Sequence, residues 1–244
     1  MSSAPASRRK RRVLIVLANP AVSSTLGWPV GFWASELTHA WHEFLDAGYE
    51  VELASPQGGK CELDGYSDPR DASGYSAHDV LSLGFLNHKQ LWSHVENTRK
   101  LADCLPTDFD AIYVAGGQSP MFTFRDNPVL ARALMAFYEA GKPTAAVCHG
   151  TAALIDLKLP SGEYLIKGKL MTGFANSEED FADQVVGKRV MPWRIEDEAR
   201  KRGAHFAAAP AFAPFALRDG HLITGQQQNS GRRAAQLLIE ALGR

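Results

Sequence analysis

The chain has 244 residues, 45% of them hydrophobic and 22% charged, the balance of a soluble globular protein long enough to bury one sizeable core. Its 26 Lys and Arg against 27 Asp and Glu leave a net charge of −1, so no excess of positive charge recruits nucleic acid or an acidic surface. No apolar run approaches the roughly 20 residues of a membrane helix. Neither nucleic acid nor a membrane is expected as a partner.

The chain opens with small and polar residues and then a basic run, Arg8-Arg-Lys-Arg-Arg12. The apolar stretch behind it, Val13 to Leu17, is too short for a signal peptide. Residues 1–11 are expected to be a disordered basic tail and residues 12–244 a single domain. Cys61, Cys104 and Cys148 are odd in number and lack metal-ligand spacing. That pattern implies free thiols, no metal and a reducing cytoplasm.

Arg12-Val-Leu-Ile-Val-Leu-Ala18 is almost unbroken in apolar residues and reads as a central strand covered on both faces. The loop from Ala21 to Val30 then lies at that strand's carboxyl end, where open α/β sheets bind ligands. Phe32 to Ala47 reads as a helix, since Phe32, Leu37, Ala40, Trp41, Phe44 and Leu45 recur at three- and four-residue intervals and Gly48 stops it. Glu36 falls in its first turn, where a carboxylate complements the helix dipole by about 0.5 kcal/mol. Glu50 to Ser55 alternates and predicts a second strand. Pro56 to Trp92 shows no clean period and reads as an irregular cap over the site. His78, His88 and His94, in or near it, lack metal spacing and read as surface residues.

Asp110 to Ala115 predicts the next strand, ending in Gly116-Gly117. Paired glycines there permit close approach of a ligand, and their N–H groups suit a developing oxyanion; an ordinary tight turn explains them as well. Asn127 to Gly141 predicts a helix capped by Asn127 with Pro128 at its first position. It feeds the apolar run Thr144 to Val147, which ends in Cys148-His149-Gly150 and a helix-forming series, Thr151 to Leu157. This pattern is a buried strand turning sharply into a helix with a cysteine at the bend. The helix end favours thiolate over thiol, and His149 adds an acid–base group. A buried core cysteine is the plainer alternative. Beyond the elbow, Lys158 to Lys167 reads as a hairpin, Lys169 to Gly173 as a short strand, and Ser177-Glu-Glu-Asp180 as a helix start with Ser177 as cap. His205-Phe206 and His221 to Thr224 read as late strands, and Gln227 to Leu242 holds the closing helix.

The elbow Ala145-Val-Cys-His-Gly150, the strand end Tyr113-Val-Ala-Gly-Gly117, Gly31-Phe-Trp-Ala-Ser-Glu-Leu37 and Ala54-Ser-Pro-Gln-Gly-Gly59 together resemble the ThiJ/PfpI superfamily. Gly168-Lys-Leu-Met-Thr-Gly-Phe174, Glu196 to Gly203 and Thr224-Gly-Gln226 narrow the likeness to its branch of heat-shock protein 31-type chaperone/glyoxalase III enzymes. The resemblance implies a flavodoxin-like three-layer α/β sandwich, with a mainly parallel sheet, helices on both faces and a cap insertion. It also implies a homodimer. Cys148 is then the nucleophile, Glu36 the acid touching its sulfur, and Glu179, rather than Glu178, the partner of His149.

The activity so implied is cofactor-free conversion of methylglyoxal, or a related 2-oxoaldehyde, to lactate through a cysteine hemithioacetal. The same branch is associated with holdase chaperones acting on unfolded clients and with protein deglycation. A Cys-His pair also suits an amidase or peptidase. A glutamine amidotransferase needs a distant His-x-Glu, which neither His205-Phe-Ala nor His221-Leu-Ile supplies.

Overall fold

The computed structural model describes residues 9–243. Seven strands form one sheet: β1 (Arg12–Val16), β2 (Glu50–Ser55), β3 (Arg99–Lys100), β4 (Ala111–Val114), β5 (Thr144–Val147), β6 (Ala216–Asp219) and β7 (Leu222–Gly225). Their spatial order is β6-β7-β5-β4-β1-β2-β3. Every pairing is parallel except that of β6 with β7. The central members are apolar on both sides because both faces are covered: Val13 to Ala18, Ala111 to Ala115 and Ala145 to Val147 are all fully buried.

The chain leaves β1 for β2 in one direction and later runs from β4 to β5 in the other. Right-handed crossovers in opposite directions put their helices on opposite faces. Helix α1 (Ala34–Asp46) follows β1, and the closing helix, Gly231–Ala241, packs beside it. Between β4 and β5 runs the helix Pro128–Glu139, whose first N–H groups, of Val129 and Leu130, donate to the Asn127 side chain. The direction changes between β1 and β4. A crevice therefore opens at their carboxyl ends, and the segments following β1, β4 and β5 meet there.

Several elements depart from the sequence-based expectation. The 56–92 segment is not irregular throughout: it contains the helix Val80–Asn87 and the start of another, Lys89–Glu96. The first presents apolar residues all round and carries Gly84, so it has no stripe to read. It packs on α1, with Thr38 and Ser82 hydroxyls 2.7 Å apart and His39 3.0 Å from Asp79. The elbow continues as a 3₁₀ helix, Cys148–Leu154, rather than an α-helix. The helix after Gly173 is Asn176–Val186, so Ser177 is inside it and caps nothing. Its start is closed by Glu178, which accepts the Ala175 N–H at 2.9 Å.

Most of the expected basic tail, residues 1–8, lies outside the described residues. The part within them is folded onto the sheet: Arg9 and Arg11 both reach Asp110, at 3.0 and 3.1 Å.

Replacing the Asn127 cap with Ala should lower stability by about 1 kcal/mol, or the melting temperature by about 2–4 °C. A thermal scan beside an activity assay checks this; the activity should not change.

Candidate active site

Cys148 leaves β5 with a φ of +57°, a left-handed value that a residue with a side chain adopts only under constraint. The constraint is crowding. A Cβ on Gly150 would lie 2.8 Å from the Ala115 carbonyl oxygen, and one on Gly116 would lie 2.9 Å from the Cys148 Cβ. Backbones after β4 and β5 press together so closely that only glycine fits at either place. The sulfur is thereby pushed beneath the start of α1.

Glu36, in the first turn of that helix, is fully buried, and Cys148 is 2% exposed. Glu36 Oε2 accepts the Gly116 N–H at 2.6 Å. Its Oε1 is buried with no hydrogen-bond partner among the described residues, and the carboxyl lies beside Cys148. Burial raises the Glu36 pKa to about 8, against the pull of the Gly116 N–H and the thiol. Burial also pushes the Cys148 thiol up, and Glu36 pushes it further. Backbone N–H groups of His149 and Gly117 favour the thiolate but do not offset burial. A thiol below its free value, the expectation from the helix end alone, is therefore corrected: burial outweighs the dipole here. The pair keeps both protons near neutral pH.

A histidine stands next to the sulfur. His149 Nδ1 lies 3.9 Å from Sγ, and Nε2 lies 3.0 Å from Glu179 Oε1. A carboxylate oxygen can only accept, so Nε2 carries the hydrogen and Nδ1 turns a lone pair to the sulfur. Phe174 holds the ring from one side, with centroids 4.1 Å apart. Glu178, the other candidate from the sequence, points elsewhere. Its oxygens accept from Ala175 N, Phe212 N and Gln226 Nε2, at 2.9, 3.0 and 2.9 Å.

Three successive N–H groups after β4 go to three acceptors. Gly116 donates to Glu36, Gly117 faces the Cys148 sulfur, and Gln118 donates to Asp64. Gly116 is thus already engaged and cannot serve an oxyanion, whereas Gly117 and His149 can. Asp64 was not singled out in the sequence, where an Asp before Gly reads as a turn residue. It is buried, also accepts the Gly31 N–H at 2.8 Å, and has its pKa raised to about 6 by burial. It ties the segment before α1 to the loop after β4.

A cavity of about 330 Å³ opens above these groups. Cys148, His149, Gly117 and Glu179 form its floor, and Trp28, Trp33, Tyr75, Phe181, Met191 and Phe212 contribute to its walls. Tyr66, Ser73 and Tyr75 are the part of the 56–92 segment that reaches it. His78, His88 and His94 are exposed. Among the described residues, no group of three or more His, Cys, Asp and Glu could hold a metal ion.

A deeply set thiol at a strand–helix bend, paired with a protonated carboxyl and a carboxylate-oriented histidine, is a site for covalent attack on a small electrophile. The chain belongs to the DJ-1/PfpI family, whose model matches residues 28–241. Glyoxalase 3 of Candida albicans is 29% identical over 94% of this chain and 98% of its own length; the crystal structure of that organism's glyoxalase III superposes with a TM-score of 0.76 over 95% of this chain and 97% of that one, at 28% identity. Glutathione-independent glyoxalase HSP31 of Saccharomyces cerevisiae is 28% identical over 88% of this chain and 91% of its own. The X-ray structure of the 24 kDa Rapid Encystment Protein of Francisella tularensis superposes with a TM-score of 0.86, covering 96% of this chain and all of that one, at 28% identity.

The buried carboxyl makes a prediction about stability. Between its ordinary value of 4.5 and about 8, the unfolded chain has released the Glu36 proton and the folded chain still holds it. Stability must then fall as pH rises through that window, by up to about 1.4 kcal/mol per pH unit. Glu36→Gln removes the effect, so its stability relative to the native chain should climb from pH 5 to pH 8. Denaturant titrations at several pH values measure this. Asp64 contributes the same sign over a lower window in both proteins and cancels in the difference.

Proposed function

We propose that this chain is a glutathione-independent glyoxalase, converting methylglyoxal or a related 2-oxoaldehyde to the 2-hydroxy acid. The observation that carries the reading is the buried Glu36–Cys148 contact, which sets a neutral acid beside a nucleophilic sulfur. The relatives named as glyoxalases over most of their length support it.

In this reading Cys148 Sγ attacks the aldehyde carbon while His149 Nδ1 takes the thiol proton. The alkoxide that forms receives the N–H groups of Gly117 and His149 and is protonated to the hemithioacetal. Glu36, left as a carboxylate once it has given its own proton to that alkoxide, takes the proton from the former aldehyde carbon while the His149 imidazolium protonates the neighbouring carbonyl oxygen. The resulting enediol receives the proton from Glu36 at that neighbouring carbon and returns its hydroxyl proton to Glu36, leaving His149 neutral. The first carbon is oxidised to a thioester as the second is reduced to an alcohol, so the redox change is internal to the substrate. Water, deprotonated by His149, hydrolyses the thioester and releases the thiol. Glu179 orients the imidazole and stabilises its protonated form. Gly116 contributes indirectly, by holding Glu36.

We also propose a reducing, cytoplasmic setting, supported by three free and buried cysteines, the homodimer that the family resemblance implies, and a capping role for the 56–92 segment. Among the described residues no helix is long and apolar enough to cross a membrane. A holdase activity is a second reading, favoured by Phe181 and Val185, which stand 47% and 69% exposed at the cavity. An aggregation assay with Cys148→Ala separates the two, since client binding survives loss of the thiol.

Lactate production from methylglyoxal, without added glutathione, should fall by about 10³-fold or more in Cys148→Ala. An undiminished rate would refute the proposal. Two neighbouring acids should differ in kind: Glu179→Gln lowers turnover with little change in melting temperature, whereas Glu178→Gln turns a donor toward other donors and costs about 1–3 kcal/mol of stability. Kinetics and thermal scans on both variants decide this, and a turnover defect confined to Glu178→Gln would reassign the histidine's partner.

A further inference from the structure

The cavity is much larger than a three-carbon substrate requires. An apolar cavity of roughly 150 Å³ suffices to hold benzene, whereas this one measures about 330 Å³. The reacting groups occupy only its floor. Above them Trp33 and Tyr75 pack edge-to-face with centroids 6.0 Å apart, and Phe181 and Phe212 do the same at 5.1 Å. Val185, next along the helix Asn176–Val186, continues the apolar wall.

The chemistry of the wall narrows what extends into it. Among the described residues no Lys or Arg lines the cavity, so none of them matches a phosphate or a second carboxylate. Part of the polar lining near the mouth is spent within the protein: Trp28 Nε1 donates to Gln118 Oε1 at 3.2 Å, and Gln228 Nε2 donates to the Tyr75 hydroxyl at 3.3 Å, and the rest of the wall is mainly aromatic and aliphatic. A sugar-derived chain, with a hydroxyl on almost every carbon, would leave most of them facing hydrocarbon.

We infer that the site selects 2-oxoaldehydes carrying a bulky apolar substituent, aryl or long alkyl, over methylglyoxal and over sugar-derived dicarbonyls. This rests on the glyoxalase reading and specifies its substrate class. The oxoaldehyde end lies on Cys148 and the substituent lies between the Trp33–Tyr75 and Phe181–Phe212 pairs. The reaction is unchanged: water is added, the aldehyde carbon is oxidised and the adjacent ketone carbon is reduced.

The test uses the full chain with methylglyoxal, phenylglyoxal and 3-deoxyglucosone, following each 2-hydroxy acid chromatographically. Phenylglyoxal should show a KM at least about tenfold below that of methylglyoxal. A factor of ten is 1.4 kcal/mol, less than the burial of two methylene groups supplies. 3-Deoxyglucosone should be the poorest of the three. Phe181→Ala and the exposed-site change Val185→Asp should each cut the preference for phenylglyoxal, expressed as the ratio of the two kcat/KM values, by about fivefold or more. Turnover of methylglyoxal with an equal or lower KM than phenylglyoxal overturns the inference and leaves the glyoxalase reading intact. A preference that survives both wall substitutions also overturns it. Absence of hydroxy acid from every substrate overturns the glyoxalase reading itself.

Discussion

The site depends on a carboxyl group and a thiol buried against each other, away from bulk solvent. Neither group ionises readily there, because charge is stabilised poorly in a desolvated pocket and two like charges at contact are worse. Burial is the main cause that raises Glu36 to about 8 and pushes Cys148 up, and the neighbouring Glu36 pushes Cys148 further. The protein thus stores a neutral acid and a neutral thiol side by side, with the His149 ring next to the sulfur. A more exposed thiolate would react with any electrophile in solution, whereas this sulfur is reached through one cavity.

Holding that contact requires three chain segments to converge at the point where the sheet's strand order reverses. α1 brings Glu36, the loop after β4 brings Gly116 and Gly117, and β5 ends in Cys148. Glycine is needed at residue 116, where any Cβ would strike Glu36 and Cys148, and at residue 150, where it would strike the Ala115 carbonyl. Cys148 bears the remaining strain in its φ of +57°. Tyr113 fastens the arrangement from below, its hydroxyl donating to the Glu36 carbonyl at 3.0 Å.

Much of this was legible in the sequence because it follows from strong local signals. Unbroken apolar runs mark β1, β4 and β5, Asn127-Pro128 marks a helix start, and Cys148-His-Gly150 after a buried strand marks the bend. Other parts leave no such trace. The edge strand Ala216–Asp219 is half-exposed and only four residues long, so it has neither an apolar run nor a clear alternation. The helix Val80–Asn87 hides behind Gly84 and an apolar surface without a stripe. Choosing Glu179 over Glu178 needed the family resemblance, since both acids suit a helix start, and only the tertiary fold shows which one meets the histidine. Asp64 and the engagement of Gly116 are long-range facts: their partners lie 33, 54 and 80 residues away.

Of the buried carboxyl groups at the site, three are raised by burial: Glu36 to about 8, Asp64 to about 6, and Glu178 upward. A fold under selection for stability alone would avoid such groups or pair them with cations. Here they accept backbone N–H groups instead, and by doing so they fix loops: Asp64 holds Gly31 and Gln118, and Glu178 holds Ala175 and Phe212. Phe212 itself sits at a φ of +62°, a strained turn kept in place by the carboxylate beneath it. The division of labour follows from geometry. Buried acids at the floor hold the backbone that positions the chemistry, while the aromatic walls above are free to be shaped for the substituent a substrate carries. Local stability is lost at the floor as pH rises, and that loss is the consequence of keeping polar groups where water has been excluded.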